Sequence, residues 1–165
     1  MNLLGKALVA VALLLAFEGC SQKTDFRVMT KPQDKAKRYS SASVLVTVDE
    51  VDSIDEGDEG VIEYLEEEIT DKLADMGIKF GSDLLIKVRI DHYEEPCFVC
   101  TGGITAIDAN VILSSKKVVV SEFEIKYRLN DAKLSSTFVF TDAKEAFVKK
   151  LMEHLKENFL KVEDN

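Results

Sequence analysis

From Val44 onward the chain moves between two hydrophobic periods. Val44 to Val48 is rich in β-branched residues and interrupted by Thr47, the pattern of a first strand. Val61 to Met76 places Ile62, Leu65, Ile69, Leu73 and Met76 at spacings of three and four, so one helical face is apolar. Asp58 and Glu59 stand near the positive N-terminal end of that helix, and Gly77 is placed to cap its C-terminus. Ile78 to Phe80 forms a short extension before a turn at Gly81, Ser82 and Asp83. Three segments of period two follow. Leu84, Ile86, Val88 and Ile90 oppose Lys87, Arg89 and Asp91; Ile107, Ala109, Val111 and Leu113 oppose Asp108 and Asn110. Phe123, Ile125, Tyr127 and Leu129 oppose Glu122, Glu124, Lys126 and Arg128, after a tight turn within Ser114 to Lys117. One apolar and one polar face per strand predicts an antiparallel meander with helices on one side. Leu134 to Phe140 suggests a further strand, and Thr141 can N-cap a last helix whose face is Phe147 or Val148, Leu151, Leu155, Phe159 and Val162. The expected fold is α+β (or mixed α/β), in the order β-α-β-β-β-(β)-α. One mostly antiparallel sheet packs with two amphipathic helices over residues 44–163.

Two segments precede that domain. Residues 1–19 carry one early cation, Lys6, and then an apolar run from Ala7 to Phe17. A run of about eleven residues suits a secretory signal and falls short of the ~20 that cross a bilayer as a helix. Gly19 and Cys20 close the segment, and a small residue followed by Cys at this place resembles the lipobox of bacterial lipoproteins. Phe17 and Glu18 depart from that family, which favours Leu, Val or Ala at the first and small residues at the second. The resemblance implies cleavage before Cys20 and acylation of its thiol, so the bilayer is the first partner. In Gram-negative members an Asp after the Cys favours the inner membrane. Ser21 therefore implies the periplasmic face of the outer membrane. Residues 20–43 are polar and aperiodic, the composition of a flexible tether.

Charge then divides unevenly. The chain of 165 residues has a net charge of −9. Lys23, Arg27, Lys31, Lys35, Lys37 and Arg38 against Asp25 and Asp34 leave the tether at +4, which puts the following domain near −13. An acidic domain argues against nucleic acid, whose binding needs Lys and Arg on phosphates. It suits a basic or cationic partner. The run Asp49, Glu50, Asp52, Asp55, Glu56, Asp58 and Glu59 is the first candidate surface for one. As a calcium loop it fails, because Ile54 falls on a ligand position.

Little else carries chemistry. Cys97 and Cys100 share a loop between two strands, and in an oxidising compartment a local disulfide is the plain reading. The alternative is a small-ligand or metal site using these two thiols and His92, though the spacing is unlike zinc patterns. Asp91 and His92, adjacent on a strand, should point to opposite faces and so form no dyad. His154 falls at the boundary of the last helix's packed face. No phosphate loop, zincin motif or nucleophile elbow is present in the sequence, so neither an enzyme nor a cofactor is expected.

Val44-Leu45-Val46-Thr47-Val48, a helix ending Met76-Gly77-Ile78, the alternating Leu84 to Ile90 strand, Gly102-Gly103 before Ile104 to Leu113, and a closing amphipathic helix form a sequence pattern. It resembles the small periplasmic domains of outer-membrane lipoproteins. Relatives include the curli-secretion channel, the penicillin-binding-protein activators and ABC-transport auxiliary lipoproteins. That resemblance implies a non-enzymatic anchored domain that binds or scaffolds an envelope protein. The Cys97/Cys100 loop and the acidic first loop depart from the pattern, and no pore-forming hairpins are evident.

Overall fold

The alternation in the middle of the chain sets the architecture. The computed structural model describes residues 20–30, 37–48, 59–94, 103–131 and 136–162. Its strands are β1 (Cys20–Thr30), β2 (Ser41–Val48), β3 (Lys79–Phe80), β4 (Leu84–Glu94), β5 (Gly103–Ser115) and β6 (Val118–Asp131). Its helices are α1 (Glu59–Asp75) and α2 (Ser136–Asn158). The strands form one six-stranded mixed sheet in the order β1-β6-β5-β4-β2-β3. β4, β5 and β6 make the expected antiparallel meander, while β2 runs parallel to both β3 and β4. The fold is α+β, as the periodicity predicts.

Leu84, Ile86, Val88 and Ile90 of β4 point to the same side as Ala109, Val111 and Leu113 of β5 and Phe123 and Ile125 of β6. All are buried in one core with both helices. α1 contributes Val61, Leu65, Ile69 and Leu73, and α2 contributes Phe147, Val148, Leu151, Met152 and Leu155. Both helices therefore lie on one face of the sheet. Gly77 ends α1 in the left-handed region, at φ 76°. Ile78 N–H donates to Leu73 O at 3.0 Å and Gly77 N–H to Ala74 O at 2.9 Å, a Schellman cap with Leu73 and Ile78 both buried. β5 turns into β6 through Lys116 and Lys117, both at positive φ, which matches the right-handed twist of a two-residue hairpin.

Two expectations are corrected. The segment expected as a flexible tether contains β1, which pairs with β6 from Cys20↔Asp131 to Thr30↔Glu122. Phe26 and Val28, two apart, stand opposite Ile125 and Phe123, and Asp25 and Arg27 meet Lys126 and Glu124 across the ladder. That alternation makes an edge strand of a mostly polar segment. Further along, Tyr39 is buried and bridges Leu160 beyond α2: its N–H donates to Phe159 O at 2.8 Å, and Lys161 N–H donates to its carbonyl at 2.9 Å. Arg38 donates to Glu157 O at 2.6 Å and so caps the negative end of α2. The second correction concerns residues 136–140, expected within a strand. They are the first turn of α2, and Thr141 lies inside that helix. The spacing Phe140, Ala143, Phe147 continues the helical period upstream and overrides the β propensity of Phe138-Val139-Phe140.

Candidate functional site

The face of the sheet away from the helices has no described element packed over it. Its composition changes along the strands. Toward the β5–β6 hairpin it is apolar, with Met29, Leu45 and Val119 exposed and Leu85 and Ile112 half-buried. Toward the end where β1 begins it is charged. Cross-strand register lines up Asp25, Lys126, Asp108 and His92 in one row, and Arg27, Glu124, Asn110 and Arg89 in the next. Signs alternate from Asp25 through Lys126 to Asp108 in the first row, and Arg27 faces Glu124 in the second, the favourable arrangement for directly opposed side chains. Lys126 Nζ lies 2.8 Å from Glu124 Oε1, and Arg89 Nε 2.8 Å from Asp91 Oδ1.

Asp108 and Asn110 occupy the centre of this charged half. They are only 9% and 7% exposed, because longer neighbours on β4 and β6 lie over them. Arg128 Nη2 donates to Asp108 Oδ2 at 2.6 Å, while Oδ1 is buried without a partner among the described residues. Asn110 Nδ2 donates to Glu122 Oε1 at 3.0 Å, and its Oδ1 is likewise unpartnered. A buried acceptor without a donor costs about 1–3 kcal/mol. Burial pushes the Asp108 carboxyl up, and this outweighs the opposing pull of Arg128, Lys126 and His92.

His92 is not where simple alternation puts it. The β4–β5 register shifts between Ile90 and His92, so a bulge turns His92 to the open face opposite Asp108, on the side where Asp91 meets Arg89. His92 Nε2 lies 3.7 Å from Glu94 Oε2. Cys97 and Cys100 fall outside the described residues, so the disulfide and the thiol-based metal site rest on the sequence alone. Among the described residues no group of three or more His, Cys, Asp or Glu is arranged to hold a metal ion. The acidic run 49–58 also lies outside the described residues, and Glu59 begins α1. Acidity continues past it along the helix, where Glu63, Glu66, Glu67 and Asp71 line a shallow groove with Ile62 and Thr70. Glu66 is tied down, accepting from Val46 N–H at 3.3 Å.

On the helix side, His154 sits in an aromatic box of Phe26, Phe123 and Phe159, with ring centroids 4.5, 4.5 and 5.7 Å away. Burial lowers its affinity for a proton. Between the helices, the Lys144 ammonium lies 4.4 Å from the centre of the Tyr64 ring, and burial with nearby Glu68 and Glu145 raises the Tyr64 phenol. Among the described residues no helix is long and apolar enough to cross a membrane.

No known family profile matches the chain, and no characterised protein matches it by sequence. Solved structures do. A variant PelC dodecamer from Paraburkholderia phytofirmans superposes with a TM-score of 0.50 at 12% identity, over 78% of this chain and 97% of that one. Protein XCC0632 from Xanthomonas campestris, of family DUF330, superposes with a TM-score of 0.51 at 15% identity, over 78% and 89%. The shared property is the fold.

The pair Asp108 and Asn110 was visible in the sequence only as the polar side of an alternating strand. Its burial depends on β4 and β6 lying on either side of β5, which is a matter of strand order.

Proposed function

We propose that the protein is a lipid-anchored component of the bacterial envelope that works by binding a partner protein, without catalysis. The observation that carries this reading is the open face of the sheet. It joins an exposed apolar half to a charged half, the mixture that protein interfaces use for burial and for register. The chain's charge of −9 favours a partner with a basic surface. The signal pattern before Cys20 supports anchoring at the periplasmic side of the outer membrane. At ~0.8 kcal/mol per buried CH2, two or more acyl chains hold such a protein stably.

The position of β1 changes how such an anchor would act. Acylation at Cys20 attaches the lipid to the first residue of a paired strand, so no leash separates bilayer from sheet. A partner then meets a face held at a fixed place close to the membrane, and the gain in effective concentration comes from confinement without a flexible linker.

Two measurements test this. Labelled palmitate should enter the wild-type chain and not Cys20→Ala. A photo-crosslinking residue at Thr47 or Lys87, on the open face, should give one discrete adduct in intact envelopes, and one at Lys149, an exposed position on α2, should give none. An adduct at twice the chain's mass would identify a second copy as the partner, an outcome the dodecameric PelC neighbour makes worth resolving. Equal, diffuse adducts from both sides would defeat the reading.

A further inference from the structure

The centre of the open face is short of hydrogen-bond donors. Asp108 Oδ1 and Asn110 Oδ1 are buried, unpartnered among the described residues, and carried by positions two apart on the same side of β5. Such positions place side chains about 7 Å apart along a strand. The nearest cations are engaged: Arg128 with Asp108 Oδ2, Lys126 with Glu124 and Arg89 with Asp91. Asn110 cannot be reversed to cure the shortage without setting its carbonyl against the Glu122 carboxylate, which its amide now meets at 3.0 Å. Two acceptors, one of them a carboxylate, call for a donor group that is cationic and presents several N–H bonds in a fixed plane. A guanidinium does this, while an ammonium presents a compact point charge.

We propose that Asp108 and Asn110 form the seat for an arginine side chain of the partner protein. This rests on the reading that the open face is the docking surface and names the group that docking delivers to it. The cross-strand neighbours Lys126, Glu124, His92 and Arg89 form the rim, and their long side chains must part to admit the guanidinium. The apolar half at Leu45, Val119 and Met29 supplies the contact area beside it. The seat selects arginine over lysine by geometry, beyond what charge gives.

The test is nuclear magnetic resonance of the isotope-labelled full chain in mild detergent, titrated with hexa-arginine and with hexa-lysine amide at physiological salt. Hexa-arginine should shift the backbone signals of Asp108 to Asn110 and the Asn110 side-chain amide, and bind about tenfold more tightly than hexa-lysine. Asp108→Asn and Asn110→Leu should each erase that preference, and the wild-type comparison stands without them if a variant misfolds. Equal affinity for the two peptides overturns the proposal. So do shifts confined to Glu63, Glu66, Glu67 and Asp71 of α1, which would mark attraction by acidity alone, or no shift at β5, as when water satisfies both oxygens. Docking on the face fails separately: a discrete open-face crosslink with no arginine preference leaves the docking surface in place and removes the seat.

Discussion

Phe26 decides whether β1 belongs to the domain. Among the described side chains of β1 it is the one large apolar group that is not exposed, and its ring lies 5.3 Å from Phe123 and 4.5 Å from His154. Truncating a fully buried Phe to Ala costs about 3–5 kcal/mol, so a half-buried ring at an edge should cost about half as much, ~2 kcal/mol for Phe26→Ala. The loss falls first on β1, whose other side meets no described strand. A change of ~2 kcal/mol corresponds to about a thirtyfold rise in the fraction of molecules with β1 released. Native-state hydrogen exchange measures this directly. The β1 and β6 amides that bond each other should lose about thirtyfold in protection, with β4–β5 amides affected less. Arg27→Ala, an exposed neighbour, should change stability by no more than ~0.5 kcal/mol. If Phe26→Ala leaves both β1 protection and the urea midpoint at wild-type values, β1 is not seated by its ring and the flexible-tether expectation returns.

Three further outcomes follow from local geometry. Lys116→Asn with Lys117→Gly puts residues suited to positive φ into the hairpin. It should add about 1 kcal/mol and raise the thermal midpoint by about 3 °C, and an unchanged midpoint would contradict the turn type. Gly77→Ala forces a side chain into the left-handed cap of α1 and should cost about 1 kcal/mol by urea denaturation, with the loss mostly absent in Gly77→Asn. The lowered proton affinity of His154 means that the unfolded chain binds more protons below the ordinary imidazole range near 6.5. Stability should therefore fall as pH drops through that range and level off below the depressed folded value, and His154→Phe should flatten the profile.

The central meander was legible because each of its strands buries one side, so alternation survives in the residues themselves. Leu84 to Ile90 and Phe123 to Tyr127 carry that signature. Gly77 was legible for a similar reason, since a helix face that stops at Met76 before a glycine has few other readings. β1 was hidden because an edge strand over one aromatic box needs only Phe26 and Val28 on its inner side, and the charges between them resemble a solvated linker. The orientation of His92 is hidden because a bulge breaks the period of two without changing the sequence pattern. The beginning of α2 is masked in the sequence because β-branched and aromatic residues favour a strand locally, while the longer helical period prevails. The seat at Asp108 and Asn110 could not be found without the order β6-β5-β4, because burial on a sheet face depends on neighbours distant in sequence.

The pairing of Cys20 with Asp131 has a kinetic side. The first of the described strands to be synthesised is seated only against the strand made about 110 residues later, and Tyr39 waits still longer for Leu160. Such non-local closures raise contact order and slow folding. During that interval β1 is an unsatisfied ribbon, and the outer edge of β6 stands open to any passing strand. Nascent molecules folding close together are then able to exchange first strands before each closes on its own sixth. Spacing between folding chains, or a chaperone that covers residues 20–30 until synthesis is complete, would then govern the yield of correctly closed molecules more than final stability does.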